Sequence, residues 1–419
     1  MKVCILTFGS RGDVQPYVAL GKALCSAGYE VCVGCDPFYR DLIEAHGLEH
    51  RPAGEYITEM HDVIRQLLRE PAWRQPIGFT RWVASKLPRI LDESMEASRD
   101  ADLIVSSPAA LASDHIAEQR RIPCVTAIVG PPLTRSREAP SGYVPGSRHL
   151  PKTLYPASYL LAEQMMWQPF RGPINRWRAR NLGLTPLPLL SNRAKRAWND
   201  APVLYGVSKH VIEPDPSWSD RIQITGNWFL DRDPSWSPPP DLISFLNAGP
   251  APIYFGFGSM VNRDARRFGR IVLEALRMTE QRGVIARGWG GLDTDDVPDT
   301  TRVIDALPHD WLFPRMRAVV HHGGAGTTSA GLRAGVPATI IPFWTEQRYW
   351  GQRLLDLGVG PAPIQNTRLT PETLAKAIDR MVNDDDMRHR AGSLGDMIQR
   401  ENGGAVAVEI VSRLLKTRA

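Results

Sequence analysis

A histidine pair leads directly into a tract of very small residues in "AVVHHGGAGTTSAGLRAG", residues 318–335. The apolar letters before His321 predict the end of a buried strand, and the letters from Thr327 predict a helix that ends at Gly335. The glycines between them therefore form a strand-to-helix turn, where free backbone N–H groups can bind an anion. His321 or His322 could add a side-chain donor.

This turn matches neither of two common phosphate-binding fingerprints. Gly324-Ala325-Gly326 is followed by Thr-Thr-Ser, so the third glycine of the dinucleotide pattern is absent, and no Gly-Lys-Ser/Thr follows as in a P-loop. The plainer alternative is a small-residue turn that only lets a helix pack on a sheet. That alternative leaves the paired histidines unexplained.

A second group of polar residues lies in "FGSRGD", residues 8–13, immediately after the first predicted strand. Ser10, Arg11 and Asp13 stand at the crest of a glycine-opened turn. Asp13 could be no more than the N-cap of the helix that follows.

An acid and an amide, Glu346 and Gln347, follow "IIPFWT" at another predicted strand end. Side by side, a carboxylate and an amide offer both acceptors and donors, which suits a ligand with several hydroxyl groups. They could also be ordinary surface residues.

Short β-branched runs alternate with helical stretches in both halves of the chain. The predicted strands cover 2–8, 29–35, 101–107, 123–130, 251–259, 283–288, 301–306, 318–323 and 338–343. The predicted helices cover 14–28, 37–47, 110–121, 264–281 and 370–384. This alternation predicts two parallel sheets with right-handed crossovers, an α/β fold.

The 419 residues are too many for one ordinary core and predict two domains. Residues 214–240 are rich in Pro, Trp, Ser and Asp and have linker composition. We therefore expect domains over 1–213 and 241–395, with a last helical stretch, 396–419, packing back on the first domain. The letters "FGS" follow the first strand of each half, which supports two similar domains.

The composition is that of a soluble globular protein, with 43% hydrophobic and 23% charged residues. No apolar run is long enough for a membrane span, and the first residues lack a signal-peptide pattern. Five cysteines form no even framework, so we expect a reducing, cytoplasmic location and structural thiols, including Cys32 and Cys35.

The net charge of +5 is unevenly spread. Between Gln164 and Trp198 there are seven basic residues and no acidic one: Arg171, Arg176, Arg178, Arg180, Arg193, Lys195 and Arg196. Such a stretch could contact nucleic acid, an anionic membrane surface or a phosphate-bearing ligand, or it could be a solvated helix face. We expect no nucleic-acid partner, because no recognised reading element accompanies it.

The blocks "TFGSRGDVQPYVALGKAL" and "PHDWLFPRMRAVVHHGGAGTTSAGLRAGVPATIIPFWTEQRYWGQRL" resemble the UDP-glycosyltransferase superfamily. The likeness is greatest to the sterol 3-beta-glucosyltransferases and bacterial natural-product glycosyltransferases. It implies the GT-B fold, in which two Rossmann-like, doubly wound domains face each other. It also implies inverting transfer from a nucleotide sugar, UDP-glucose in the sterol enzymes, without a metal ion or other cofactor.

The resemblance also implies roles for individual residues. The donor-binding set would be Ser10, Arg11, Gly12, Ser259, Trp289, Ala306, Leu307, His309, His321, His322, Gly324, Ala325, Gly326, Thr327, Glu346 and Gln347. Within this set, His322 and the residues from Ala325 to Thr327 would hold the diphosphate. Glu346, where the sterol enzymes usually carry Asp, and Gln347 would hold the sugar hydroxyls.

Asp13 would then be the general base that takes the proton of an acceptor hydroxyl. The acceptor, an apolar small molecule or a lipid, would lie near aromatic residues of the segments 64–92 and 152–200, of which Trp73, Phe79, Trp82 and Trp167 are candidates. A UDP-sugar 2-epimerase and a non-catalytic nucleotide-sugar-binding protein are the alternatives on the same fold. The sequence leaves open the identity of the acceptor, the choice between UDP and dTDP, the hexose, the oligomeric state and whether the basic stretch contacts a membrane.

Overall fold

The computed structural model describes residues 1–67, 70, 74–144, 146–190, 202–258, 265–288 and 297–416. The chain divides into two compact units, Met1–Leu230 with Asn402–Ala419, and Asp231–Glu401. Each unit holds one parallel sheet covered by helices. This arrangement confirms the predicted fold class, two doubly wound α/β domains. Within the described ranges, no helix is long and apolar enough to cross a membrane.

The sheet of the first unit has seven parallel strands in the order β3-β2-β1-β4-β5-β6-β7. They are β1 Lys2–Leu6, β2 Glu30–Cys35, β3 Glu49–Pro52, β4 Leu103–Ser106, β5 Cys124–Ile128, β6 Val203–Tyr205 and β7 Ile222–Ile224. The chain builds outward from β1 to β3 and then returns to place β4 on the other side of β1. A crevice where ligands bind in such sheets therefore lies at the carboxyl ends of β1 and β4.

Strand β1 is buried on both faces, which explains its unbroken apolar sequence. Val3 and Ile5 belong to one core cluster, and Cys4 and Leu6 to the other. The sequence patterns missed β3, β6 and β7, which have only three or four residues each. The sequence of β3, Glu-His-Arg-Pro, contains no apolar run, whereas β12 has only three residues but was predicted because apolar residues continue to 343.

The described part of the first unit also contains α-helices. They are α1 Arg11–Ser26, α2 Arg40–Glu44, α3 Ile57–Leu67, α4 Gln75–Ala97, α5 Ser113–Arg120, α6 Tyr155–Trp177 and, from the end of the chain, α14 Gly403–Lys416. Helix α4 packs against α6. The described residues of the aromatic-rich segments 64–92 and 152–200 lie mainly in these helices.

The sheet of the second unit has five parallel strands in the order β10-β9-β8-β11-β12. They are β8 Ile253–Gly256, β9 Gly283–Ala286, β10 Thr301–Ile304, β11 Ala318–His321 and β12 Ala338–Ile340. Its helices are α7 Pro240–Asn247, α8 Ala265–Met278, α9 His309–Leu312, α10 Ala325–Arg333, α11 Thr345–Asp356, α12 Pro371–Asn383 and α13 Asp385–Gln399. Here the order reverses at β8, so the crevice lies between the carboxyl ends of β8 and β11.

The unit boundaries differ from the expected domain boundaries of 1–213, 214–240, 241–395 and 396–419. Residues 214–230, which we expected to be linker, include β7 and belong to the first unit, because β7 pairs with β6. The last part of α13 belongs to the second unit, and only α14 returns to the first. Ala407, Val411 and Leu415 of α14 enter the first core cluster, and Tyr29 donates a hydrogen bond to Ser412 at 2.8 Å. All five cysteines are free thiols.

Candidate functional site

The predicted donor residues of the second half all follow the carboxyl end of a parallel strand. Residues 306–309 follow β10, residues 321–327 follow or end β11, and residues 346–347 follow β12. Because the strands are parallel neighbours, these residues lie along one edge of one sheet. Ser259 and Trp289, which the resemblance also implied, lie outside the described residues.

At this edge of the sheet, each of three neighbouring strands is followed by a glycine with positive φ. Gly258 after β8, Gly288 after β9 and Gly323 after β11 have φ values of +56°, +57° and +94°. A Cβ on Gly288 would lie 2.4 Å from the carbonyl oxygen of Gly258, and a Cβ on Gly323 would lie 2.7 Å from Ile340. The backbones of Gly288 and Gly258 therefore approach each other more closely than a side chain would allow, and Gly323 makes room for the side chain of Ile340.

The imidazole of His322 occupies the crevice between β8 and β11. A Cβ on Gly258 would lie 3.0 Å from its Cε1, and a Cβ on Gly324 would lie 2.5 Å from its Nε2. The ring is thus held between two glycines, one from each side of the crevice. Burial lowers the pKa of His322 to about 4, although a hydrogen bond with the backbone of Gly256 opposes the shift. Its Nδ1 is buried and has no partner among the described residues.

The structure distinguishes the two adjacent histidines. His321 is fully buried, and its Nδ1 accepts a hydrogen bond from the Gly323 N–H at 3.1 Å, which holds the turn. Burial keeps the pKa of His321 well below its ordinary value. His322, whose ring lies between the two glycines of the crevice, is therefore the better candidate for contact with a ligand, and His321 holds the turn.

Helix α10 presents an uncapped start at the same place. Its N-cap is Gly324, which has no side chain to occupy the first N–H groups, those of Ala325, Gly326 and Thr327. Thr328 is buried, and its hydroxyl donates to the Gly324 carbonyl oxygen at 2.9 Å. Thr327, the other threonine at this helix start, is half-buried. The helix start and His322 together form a site suited to an anion.

Gln347 has a local structural task as well as its predicted ligand role. Its side-chain oxygen accepts hydrogen bonds from the backbone N–H groups of Phe343 at 2.7 Å and Trp344 at 3.1 Å. This interaction caps the start of α11 and occupies the side-chain oxygen that the resemblance implied for sugar hydroxyls. Glu346 is half-buried in the first turn of the same helix.

His309 lies at the start of α9, in the loop region that follows β10. Its ring stacks on Phe313 with centroids 4.3 Å apart, and it meets the edge of Tyr254 at 6.1 Å. Before it, Ala306 is exposed and Leu307 is half-buried. This arrangement offers a short accessible segment at the far side of the same sheet edge.

In the first unit, Asp13 lies in the first turn of α1, just after the switch-point strand β1. The helix begins at Arg11 with Ser10 as its N-cap, so Asp13 is not the N-cap, a role we had considered for it. Its Oδ2 accepts hydrogen bonds from the N–H of Ser10 at 2.8 Å and the hydroxyl of Ser10 at 2.9 Å. Gly9, with φ +130°, makes this possible, because a Cβ there would lie 2.5 Å from Oδ2.

This geometry leaves Oδ1 of Asp13 with no hydrogen bond from the described residues. The residue keeps solvent exposure, yet the protein around its carboxyl group displaces water and raises its pKa, against the two bonds from Ser10. One oxygen is anchored and the other is available, which suits a proton acceptor. Arg11 and Gly12 are exposed beside it, with the Arg11 side chain donating to Gln15 at 3.1 Å.

An aromatic ladder starts beside this loop. The rings of Phe8 and Tyr56 are 6.5 Å apart, those of Tyr56 and Trp82 5.9 Å, and those of Trp82 and Phe79 5.7 Å. Gly54 permits the first contact, since a Cβ there would lie 2.7 Å from Phe8. Two predicted acceptor-side residues, Phe79 and Trp82, therefore join two that the sequence did not reveal, Phe8 and Tyr56.

The other aromatic candidates differ from one another. Trp167 is half-buried against the same core cluster as Tyr56, and its indole N–H is buried without a partner among the described residues. Trp177, at the end of α6, is buried and donates to Asp92 at 2.7 Å, so it is a core residue. Trp73 lies outside the described residues. In the part of the chain that the structure describes, no group of three or more His, Cys, Asp or Glu side chains could hold a metal ion.

Two family descriptions match the sequence. Residues 3–137 match "Glycosyltransferase family 28 N-terminal domain", and residues 274–415 match "Erythromycin biosynthesis protein CIII-like, C-terminal domain". A sterol 3-beta-glucosyltransferase of Arabidopsis thaliana is 34% identical over 426 residues, which cover 99% of this chain and 68% of the relative. One of Emericella nidulans is 33% identical over 437 residues, which cover 99% of this chain but only 30% of that longer protein.

Two solved structures show a similar fold over the whole chain. The calicheamicin glycosyltransferase CalG4 has a TM-score of 0.69 at 20% identity, covering 99% of this chain and 98% of its own. The glycosyltransferase VinC, solved in complex with dTDP, has a TM-score of 0.66 at 18% identity and covers both chains completely. At such identities the likeness establishes the fold, GT-B.

The packing of His322 against Gly258 predicts the effect of one added methyl group. In Gly258→Ala the left-handed backbone conformation costs about 1–2 kcal/mol, and the new Cβ presses on the imidazole. We expect a lower melting temperature and weaker binding of UDP by calorimetry. Gly331→Ala is the matched control, because a Cβ there meets nothing within 4 Å and alanine is favoured in the helix. Equal UDP affinities in the two variants would contradict the role of this crevice.

The lowered pKa of His322 makes stability depend on pH. The unfolded side chain takes up a proton near pH 6.5 and the folded one only near pH 4, so the unfolded state binds more protons between these values. The contribution of His322 is complete above pH 6.5 and is lost as the pH falls, by about 2 kcal/mol between pH 7 and pH 5. Urea denaturation at both pH values measures the loss. The variant His322→Gln should show a smaller difference, and an unchanged one would exclude His322 as its source.

Proposed function

Because the chain belongs to the family of the sterol 3-beta-glucosyltransferases, and is therefore a UDP-glycosyltransferase, we propose a specific reaction for it. It transfers glucose from UDP-glucose to the hydroxyl group of an apolar, sterol-like acceptor, with inversion at the anomeric carbon. Asp13 is the general base. The observation that carries the proposal is the anchored carboxyl group of Asp13, whose second oxygen is available to accept a proton.

The reaction is a single displacement. The acceptor oxygen attacks the anomeric carbon while its proton passes to Oδ1 of Asp13, and the bond from that carbon to the diphosphate oxygen breaks. Attack opposite the leaving group inverts the configuration. The raised pKa of Asp13 favours this role, since a more basic carboxylate is the better proton acceptor.

The leaving diphosphate gathers negative charge as that bond breaks. The uncapped start of α10 and the hydroxyl of Thr327 supply donors for it, and the imidazole of His322 lies beside them. Preorganised donors of this kind stabilise developing charge without reorganising during the reaction. Since a nucleoside diphosphate is a good leaving group, a second carboxyl group to protonate it, as in glycosidases, is not needed.

The acceptor's apolar body is proposed to rest on the aromatic ladder of Phe8, Tyr56, Trp82 and Phe79. Flat aromatic surfaces remove a polycyclic ring system from water over a broad area. Phe8 directly precedes the Gly9 loop that holds Asp13, so a ring system on the ladder would carry its hydroxyl toward the base.

Product analysis tests the reaction as a whole. The full chain is incubated with UDP-glucose alone, with sterols, and with polyketide and flavonoid acceptors, and the products are identified by mass spectrometry and by the configuration of the new bond. The proposal expects a β-glucoside of the sterol and no change of the donor alone. Epimerised donor in the absence of acceptor would replace it by the 2-epimerase alternative, and no turnover with any acceptor would favour a binding protein.

Removing the charge of Asp13 tests the base. Asp13→Asn keeps an oxygen to accept the bonds from Ser10 but cannot take a proton, so kcat should fall about 10²–10⁴-fold while UDP affinity stays nearly unchanged. Asp41→Asn is the control, because Asp41 is an exposed acid in the first turn of another helix of the same unit. Turnover that survives in Asp13→Asn would remove this residue from the mechanism.

Truncating the ladder tests where the acceptor lies. Trp82→Ala should raise the KM for a sterol roughly tenfold, because an aromatic platform of this kind contributes about 1 kcal/mol or more. The KM for UDP-glucose should not change, and Trp82→Phe, which retains a ring, should recover most of the loss. An equal rise in KM for both substrates would point to a general structural defect instead.

A further inference from the structure

Helix α6 bears an apolar face that the described structure does not cover. Seven of the fifteen large apolar side chains exposed among the described residues lie on or beside this helix, so the cluster is not a random scatter. They are Leu154, Leu160, Leu161, Met165, Met166, Leu189 and Leu190. Tyr159, Ala162, Ile174 and Trp177 of the same helix are buried, so the helix has a core-facing side as well.

The spacing places these exposed side chains together. Leu154, Leu161 and Met165 stand at i, i+7 and i+11, which lie on one face of an α-helix. Their exposed fractions are 46%, 52% and 55%. Leu189, 57% exposed, is brought alongside because Gln168, one turn beyond Met165, donates to the Leu189 carbonyl oxygen at 2.7 Å.

A second pair of hydrogen bonds holds the segment after α6 against the helix. The side chain of Asn175 both donates to the Leu187 carbonyl oxygen at 3.0 Å and accepts from the Leu187 N–H at 2.8 Å. Residues 187–190 therefore run along α6 rather than away from it. We call the helix surface of Leu154, Leu161 and Met165, together with Leu189 and Leu190, the α6 face.

Positive charge borders the α6 face and negative charge is missing from it. Arg176 stands eleven residues after Met165, on the same side of the helix, and is exposed, as is Arg180. Lys152, just before Leu154, is exposed, but Glu138 pairs with it at 3.3 Å and offsets its charge. From residue 164 to residue 190 the chain has no Asp or Glu. Arg178 does not contribute, since it is buried and paired with Glu118 at 2.7 Å.

We propose that the α6 face docks the enzyme on the surface of an anionic lipid bilayer. The leucine and methionine side chains enter the boundary between headgroups and acyl chains, and Arg176 and Arg180 lie against anionic headgroups. A helix with an apolar stripe bordered by arginines binds membranes in this way, through buried apolar area and attraction to acidic lipids together. The inference rests on the proposed function only in that a sterol-like acceptor would reside in such a bilayer.

A second copy of the chain is the less suitable occupant. In a two-fold interface the same patch meets itself, so the arginines of one copy would meet apolar or basic groups of the other and no acid. Large uncovered apolar patches on soluble proteins mark interaction sites. The charge pattern here selects an anionic surface among the possible partners.

Co-sedimentation of the full chain with vesicles tests the docking. Vesicles of phosphatidylcholine alone are compared with vesicles that also contain phosphatidylglycerol, without donor or acceptor present. We expect binding to the anionic vesicles. The variant L161E/M165E should lose about tenfold or more of the partition coefficient, and R176Q/R180Q should lose roughly fivefold for each arginine at low salt.

The matched control is M278E/M397E, which adds the same two charges at exposed apolar positions of the second unit and should bind vesicles as the unmodified protein does. UDP binding by calorimetry should be unchanged in all variants, which shows that they are folded. The proposal would be overturned if the control lost as much vesicle binding as L161E/M165E, or if the unmodified protein bound neither kind of vesicle. It would also be overturned if light scattering showed that L161E/M165E converts a dimer to a monomer. Because vesicle binding is measured without turnover, failure of the proposed reaction would be seen separately.

Discussion

Gly9 and Gly258 follow β1 and β8, the strands at which the strand order of each sheet reverses. Neither position has room for a side chain. A Cβ on Gly9 would lie 2.5 Å from Oδ2 of Asp13, and one on Gly258 would lie 3.0 Å from Cε1 of His322. The backbone conformations, at φ +130° and +56°, also favour glycine. Because no Cβ intervenes, a polar side chain packs directly against backbone at each reversal point, and the chemistry of each unit depends on that packing.

The parallel sheets make these two positions rigid. Central strands such as β1 are buried on both faces, and their register with the neighbouring strands fixes where each carboxyl end lies. The sheet therefore holds the first residues of each following loop in place, even where residues farther along the loop are exposed. The two environments then tune the side chains in different directions: loss of water raises the pKa of the Asp13 carboxyl group and lowers that of the His322 imidazole. The shift makes the proposed base a better proton acceptor and keeps neutral the imidazole that is proposed to lie beside the diphosphate.

The proposed base and the proposed acceptor platform share one stretch of the first unit. Phe8 begins the aromatic ladder, Gly9 makes room for the carboxyl group, and Ser10 anchors it. The ladder reaches α4 at Trp82, α4 packs on α6, and α6 bears the proposed membrane-docking face. Phe8 and buried residues of both α4 and α6 belong to one core cluster, so the proposed platform and the proposed docking face lie on elements that pack together, which is consistent with a substrate drawn from a bilayer.

The sequence alone determined the alternation of strands and helices, nine of the twelve strands, and the turns that hold the site residues, because strand ends followed by glycine leave a local signal. The family's function also followed from two long blocks of local sequence. Tertiary structure decided what depends on contacts distant in the chain. It showed that His321 accepts a hydrogen bond within its own turn, which distinguishes it from His322. It also showed that Thr328 and the side-chain oxygen of Gln347 form hydrogen bonds with the backbone at the starts of their own helices, and it placed Tyr56 between Phe8 and Trp82. It also assigned residues 214–230 to the first unit, since the three-residue strand β7 is recognisable only by its pairing with β6.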